Sequence, residues 1–234
     1  MKRSFNNVNA AILALILSFA AVASANDSFK PAEALSVTDA YSVLFYATTQ
    51  IVPDAFVVLD LCLTSKGSIE RVDVLRDPVS MGKIAASSVR TWKFRPASEE
   101  GAAVASQVPV VFVYRPPNFG SLGPPKGMAP INVKPVIAEQ NCDSKTIDFV
   151  PATILAAAYP DYPVNSVAWG SAVIQVSVDA AGSMRGAEVL RAMPSFTQFA
   201  LAALKKWRFQ AATLAGQPVA SNVIIALVFQ TPSP

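Results

Sequence analysis

The hexapeptide WKFRPA at Trp92–Ala97 returns 115 residues later as WRFQAA at Trp207–Ala212. The match extends beyond these six residues, because the same shift of 115 aligns the chain with itself from about Val52 to Tyr114 without a gap. Self-similarity at one fixed shift indicates a duplicated unit. Two copies are too few for a solenoid, so the sequence predicts two similar domains in tandem.

Each copy begins with two strand-like segments around a glycine turn. FVVLDLCLT is followed by SKGS and IERVDVLR in the first copy, and AVIQVSVD is followed by AAGS and MRGAEVLR in the second. Alternation of apolar and polar residues is typical of strands with one buried face, and glycine allows the positive φ that tight turns use. The pattern predicts a β-hairpin in each copy. Its polar face carries Asp60 and Cys62 in the first and Gln175 and Ser177 in the second.

A helix and a third strand follow in both copies. Ser80 and Ser195 are placed to cap the helices, and the apolar residues of FTQFALAALKKW share one helical face. The third strands are predicted at SQVPVVFVY (106–114) and SNVIIALVFQ (221–230). Pro109 has no N–H to donate and therefore favours an edge or a strand start. The predicted fold class is α+β, with two tandem β-β-α-β units, each a small antiparallel sheet with one helix packed on one face.

The aromatic residues of the repeated phrase are predicted to be structural core. Trp92 and Phe94 are two residues apart, as are Trp207 and Phe209, so both members of a pair can point into one core. Lys93, between the first pair, is predicted to face water. A cation–π or ligand-binding role is the alternative for these side chains.

The N-terminus predicts export. MKRSFNNVNAAILALILSFAAVASAND has a basic start, an apolar run from Ala10 to Ala23 and small residues before a cut at Ala25. This layout is typical of a signal peptide over residues 1–25, and an uncleaved membrane anchor is the alternative. A first domain is then predicted over 26–115, a linker rich in proline and glycine over 116–138, and a second domain over 139–234. The segments PAEALSVTDAYSVLFYATTQ and TIDFVPATILAAA, upstream of the hairpins, are predicted to be partly helical and to pack on their own units.

The composition excludes several classes of function. The chain contains no histidine and two cysteines, so it offers neither an imidazole base nor the usual four-ligand zinc site. Its net charge of +3 falls to +1 without Lys2 and Arg3 of the leader. This charge is too small to indicate nucleic-acid binding. The carboxylates are scattered along the chain. We therefore expect no enzymatic activity, no cofactor, no metal, no small-molecule substrate and no nucleic-acid partner.

The two cysteines are candidates for a disulfide. Cys62 lies on the polar face of its strand, and Cys142 comes just before the second unit. Export implies an oxidising compartment, in which the two can pair. Such a bond would bring the end of the linker onto the open face of the first unit. Two free thiols or an intermolecular bond are the alternatives.

A series of short motifs follows in order along the second copy. They are Tyr162-Pro163, Gly170, Val178-Asp179, Gly182, Trp207-Arg208-Phe209, Gly216-Gln217-Pro218-Val219 and Phe229. In this order and spacing they resemble the C-terminal domain of TonB-type energy transducers. The first copy lacks the tyrosine-proline start and reads Gly101-Ala102-Ala103-Val104 at the bend, but it has the family's proline in Arg95-Pro96-Ala97.

This resemblance implies a periplasmic domain that pairs a sheet edge with a short extended segment of an outer-membrane receptor. The implied docking edges are the third strands, at Val108, Val110, Phe112, Tyr114, Val223, Ile225, Leu227 and Phe229. The alternative is that the other unit or a homodimer partner covers those edges.

The predicted function is that of a soluble periplasmic peptide- or protein-binding module with duplicated TonB-like C-terminal domains. Its predicted partner is an envelope protein or a peptide segment of an outer-membrane receptor, engaged by strand addition. The alternative is a short energy transducer anchored by an uncleaved N-terminal helix. The chain lacks the histidine that family members usually place in that anchor and the long proline-rich spacer, which disfavours the alternative.

Overall fold

The fold is α+β, as the sequence predicts. In a computed structural model of the chain, the residues described are 28–40, 52–116, 128–131, 142, 148–161 and 168–230. The predicted signal peptide, most of the predicted linker and residues 41–51 lie outside this set. Among the residues described, no helix is long and apolar enough to cross a membrane.

The first half runs from residue 28 to residue 115. Its elements are β1 (Phe29–Lys30), β2 (Glu33–Ser36), β3 (Ala55–Leu63), β4 (Ile69–Arg76), α1 (Gly82–Val89), β5 (Lys93–Arg95), β6 (Ala97–Glu99), β7 (Ala102–Val104) and β8 (Ser106–Arg115). A short strand, β9 (Met128–Pro130), follows it.

The second half repeats this order element by element. Its elements are β10 (Phe149–Val150), β11 (Thr153–Ala158), β12 (Gly170–Val178), β13 (Met184–Arg191), α2 (Thr197–Leu204), β14 (Arg208–Gln210), β15 (Ala212–Leu214), β16 (Gln217–Val219) and β17 (Ser221–Phe229). The minor pairings also correspond, because β1-β6-β7 matches β10-β15-β16 and β2-β5 matches β11-β14.

The centre of the molecule is one six-stranded sheet with the order β13-β12-β17-β8-β3-β4. Each half contributes a hairpin and its third strand as an antiparallel group. The two groups meet where β17 pairs with β8 in parallel. All nine residues of β3 and all ten of β8 are buried, so this sheet is covered on both faces.

The segments upstream of the hairpins correct one prediction. Their described parts form strands rather than helix, because β2 pairs with β5 and β11 pairs with β14. Pro151 lies inside the second segment, where it removes a donor and opposes a helix that continues through it. Each segment does pair within its own half, as expected.

Side-chain caps at Ser80 and Ser195 are also corrected. The residues at the N-caps are Met81 and Phe196, and neither makes a side-chain cap hydrogen bond. The carboxylate of Asp77 instead accepts hydrogen bonds of 2.8 Å from the N–H groups of Met81 and Gly82. A carboxylate at a helix N-terminus satisfies free N–H groups and complements the helix dipole.

The repeated aromatic phrase lies in the core. Trp92, Phe94, Trp207 and Phe209 are each at most 6% exposed, while Lys93 is exposed. The indole N–H of Trp207 donates a hydrogen bond of 3.0 Å to the carbonyl oxygen of Ala158. The indole nitrogen of Trp92 has no such bond among the residues described, so the second tryptophan is the better anchored of the two.

Candidate functional site

The residues predicted to form docking edges lie at the middle of the sheet. β8 pairs with β3 on one side and with β17 on the other, and β17 pairs with β12 and β8. The parallel register joins six residue pairs, from Ile224 and Val110 to Phe229 and Arg115. The docking edge expected at these strands is therefore absent, because each third strand has the other as its neighbour.

Pro109 fits this arrangement. It pairs with Asp60 of β3, and the pairing with β17 begins one residue later, at Val110. The missing N–H thus lies just before the parallel pairing with β17 starts. Pro109 is therefore unpaired on that side, as an edge residue would be, but the rest of β8 is an internal strand.

The two halves face opposite sides of the shared sheet. A shift of 115 makes Val110 correspond to Ile225, but the register pairs Val110 with Ile224 and Val111 with Ile225. Paired residues of neighbouring strands point to the same side, and consecutive residues point to opposite sides. Corresponding positions therefore point in opposite directions, which gives the halves a two-fold relation about an axis parallel to the strands.

The aromatic contacts agree with this geometry. Trp92 stacks on Phe112, with ring centroids 6.4 Å apart. Trp207 contacts the edge of Phe56 of the other half at 5.9 Å. Phe56 is paired with Val113 and so points away from the side to which Phe112 points. Each half therefore covers one face of the sheet and buries side chains of the other half there.

The segment of residues 28–40, here called the first arm, crosses onto the polar face of the second half. The N–H of Ala34 donates to Oε1 of Gln175 at 2.9 Å, and Nδ2 of Asn222 donates to the carbonyl oxygen of Ala32 at 2.9 Å. The N–H of Ala40 donates to Oγ of Ser171 at 2.9 Å. The polar strand face that the sequence leaves open is closed here by the other half.

The second arm, residues 148–161, reaches the first half in return. Tyr159 stacks on Phe56 with ring centroids 4.2 Å apart. Phe29 of the first arm and Phe149 of the second meet at 5.1 Å. These two phenylalanines occupy corresponding positions, since β1 pairs with β6 as β10 pairs with β15. Their contact therefore lies at the axis that relates the halves.

Cys62 and Cys142 form a disulfide in the structure, with their Cα atoms 5.2 Å apart. Both are 1% exposed, and they pack against Ala105. The bond joins positions 80 residues apart and holds Cys142 on the polar face of the first half. This is the pairing that the sequence favours over free thiols.

A buried carboxyl shares that face. Burial, and to a smaller extent the nearby Asp73, raise the pKa of Asp60 to about 7, although Arg71 and the hydrogen bond from Gln107 oppose the rise. Nε2 of Gln107 donates to Oδ2 at 2.8 Å, and Oδ1 has no partner among the residues described. Near neutral pH this group lies close to its midpoint.

The open edges of the sheet are its outer strands, β4 and β13. In the described residues each pairs on one side only. They carry the exposed valines Val74 and Val189, which are 44% and 37% exposed and correspond at a shift of 115. The edges that can accept another strand are therefore the second strands of the hairpins, which sequence reasoning did not single out.

The described residues contain no group of three or more cysteine, aspartate or glutamate residues placed to hold a metal ion. The Ser80-Met81-Gly82-Lys83 stretch has the spacing of a serine–lysine pair, but Ser80 and Lys83 are both exposed. No hydrogen bond joins these two side chains in the described part of the chain.

Residues 156–231 match the family described as Gram-negative bacterial TonB protein C-terminal. These residues are therefore similar to the C-terminal domain of TonB proteins. The match covers about a third of the chain and includes β12, β13, α2 and β17. Domains of this family are associated with the cell envelope and act with outer-membrane receptors. Comparison with curated proteins and with solved structures gave no match.

Proposed function

We propose that the protein is a periplasmic peptide- or protein-binding module made of two TonB-like C-terminal domains. Its partner is an extended segment of an envelope protein, which adds as a strand to an outer edge of the shared sheet. Catalysis forms no part of this function. The observation that carries the proposal is the sheet order, which uses both third strands internally and leaves β4 and β13 open.

The extension of the TonB-like assignment to residues 26–115 has its own support. The first half has the same nine elements as the second, in the same order and with the same pairings. The shift of 115 aligns the two halves without a gap through the hairpin, helix and third strand. A duplicated domain accounts for both observations.

Strand addition suits the outer edges for a physical reason. An edge strand presents unpaired N–H and C=O groups, which give affinity to any extended backbone, while side-chain contacts select the partner. A receptor segment that used a third strand would first have to displace six paired residue positions of the other half. This cost disfavours docking at the third strands.

Photo-crosslinking in intact cells tests the proposal. A photoreactive residue at Val189 or Val74 should give a crosslink to an envelope protein. The same residue at the exposed turn position Glu100 is the control and should give none. Equal crosslinking from Glu100, or none from either valine, would contradict binding at the edges.

Cell fractionation tests the location independently. The protein should be recovered in the soluble periplasmic fraction with the mass expected after removal of residues 1–25. A stable form retained in the inner membrane, together with loss of receptor-dependent uptake on deletion, would favour the anchored transducer instead.

A further inference from the structure

The β13 edge adjoins a cavity on the polar face of the second half. The cavity has a volume of about 320 Å³ and lies between the first arm and strands β12, β13 and β17. Pro31 and Glu33 line it from the arm. From the second half it is lined by Gln175, Ser177, Val178, Asp179, Arg185, Glu188, Ala220, Ser221 and Asn222.

The corresponding place in the first half is filled by the chain itself. Ser177 and Ala220 correspond to Cys62 and Ala105, and those two residues pack with Cys142. The first half thus shows that this face accepts a polypeptide segment. Ser177, which corresponds to Cys62, is exposed, so no described segment covers this place in the second half as Cys142 covers it in the first.

The β13 edge is also less obstructed than the β4 edge. Helix α1 packs closely against β4, since a Cβ atom added at Gly82 would lie 2.7 Å from Cγ1 of Val74. Helix α2 packs against β11 of its own arm. The disulfide closes the remaining face beside β4. Of the two outer strands, β13 therefore offers an added strand the freer approach.

The charges around the cavity select the side chain that enters it. Glu33 is paired with Arg95, and Asp179 is paired with Arg185. Glu188 is exposed and has no ion pair among the residues described. The cavity side of β13 therefore carries one uncompensated carboxylate, which attracts a cation.

The alternation of an added strand sets the residues beside that cation. Glu188 is paired with Gln175 and faces the cavity, while Ala187 and Val189 face the other side. A residue of the added strand opposite Glu188 also faces the cavity, and its two neighbours lie against the exposed alanine and valine. We propose that β13 binds an extended segment of a partner protein that carries a lysine or arginine between two apolar residues. This proposal rests on the proposed function and names the chemistry of its partner.

Binding of two synthetic peptides to the oxidised chain without its leader tests the proposal. One is a blocked nine-residue peptide of alternating threonine and valine with a central lysine between two valines, and the other has glutamate in place of the lysine. In NMR titrations, the lysine peptide should shift the amide signals of residues 184–191. It should bind about twofold to fivefold more tightly than the glutamate peptide. Glu188→Lys should reverse this preference.

The control variant is Glu70→Lys, which makes the same charge change at an exposed position of the other outer strand. It should leave both affinities within twofold. Far-UV circular dichroism checks that each variant is folded. Equal affinities for the two peptides, or a preference that survives Glu188→Lys, would overturn the charge selection while leaving strand addition intact. Failure of both peptides to bind the wild-type chain would overturn the inference and count against the proposed function as well.

Discussion

The buried carboxyl of Asp60 predicts an unusual dependence of stability on pH. Its pKa in the folded chain is about 7, against an ordinary value of 3.8. Because the folded state holds the proton more tightly than the unfolded state, the free energy of unfolding falls as pH rises from about 4 to about 7 and is level above that range. One pKa unit corresponds to about 1.4 kcal/mol, so a shift of this size amounts to roughly 4 kcal/mol in full.

Substitution of Asp60→Asn removes this loss. Between pH 5 and pH 8 the wild-type contribution changes by about 2–3 kcal/mol, since part of the loss has already occurred at pH 5. The difference in unfolding free energy between the variant and wild type should therefore be larger at pH 8 than at pH 5 by about that amount, in favour of the variant. Asparagine keeps an oxygen that can accept the hydrogen bond from Gln107, so the local geometry need not change.

Urea unfolding followed by tryptophan fluorescence at the two pH values measures the effect. Asp161→Asn, at an exposed carboxylate, is the control and should change the unfolding free energy by the same small amount at both pH values. A difference between the Asp60→Asn variant and wild type that is the same at pH 5 and pH 8 would show that Asp60 is hydrated or paired in the folded protein. The complete burial of this carboxyl in the folded chain would then be wrong.

The remaining predictions concern the cores and the cross-link. Trp207→Ala should lower the free energy of unfolding by about 3–5 kcal/mol, because it empties a buried site and removes the hydrogen bond to Ala158; a thermal midpoint close to that of wild type would contradict the buried position. The double substitution of Cys62 and Cys142 to alanine should lower the unfolding free energy by about 2–5 kcal/mol, since it frees a loop of 80 residues in the unfolded chain; two alkylatable thiols in the native exported protein would show that the bond does not form. Gly182→Ala should destabilise the chain by about 1 kcal/mol or more, because its φ is +78° and a Cβ atom would lie 2.6 Å from the carbonyl oxygen of Phe209; unchanged urea midpoints would contradict this turn geometry.

Local patterns predicted the elements of each half well. The second strands at 69–76 and 184–191 have the bounds that the alternation predicts, and the first and third strands differ by one or two residues at their ends. Period-two and helical patterns depend on contacts within a few residues, so they are visible in a single sequence. The cap predicted at Ser80 was wrong because Asp77, three residues earlier, supplies the carboxylate that accepts from the helix N-terminus.

The pairing between the halves could not be predicted from such patterns, although the sequence contained a signal for it. The third strands, SQVPVVFVY and SNVIIALVFQ, are nearly continuous apolar runs rather than alternating ones. A strand of this kind is typical of a sheet buried on both faces. An edge strand with a solvated face would not need apolar residues on both faces. The resemblance to TonB-type domains implied that these strands are docking edges, whereas their apolar composition favours an internal position.

The prediction that the polar strand faces are open was wrong because contacts between distant segments decide what covers a face. Asp60 and Gln175 were expected on an open face, but both are buried, and the first arm covers Gln175. Periodicity separates the two faces of a strand without saying what covers either. The cavity beside β13 was invisible to sequence reasoning because it is formed between segments more than 130 residues apart.

Amide hydrogen exchange along the two third strands tests the central claim most directly. In a strand paired on both sides every N–H is hydrogen-bonded, whereas in an edge strand alternate N–H groups face water. The structure predicts strong protection at consecutive amides over residues 111–114 and 225–228 of the oxidised chain without its leader. Protection at every second amide in either segment would show that the third strands are edges, and that the two halves are not joined as one sheet.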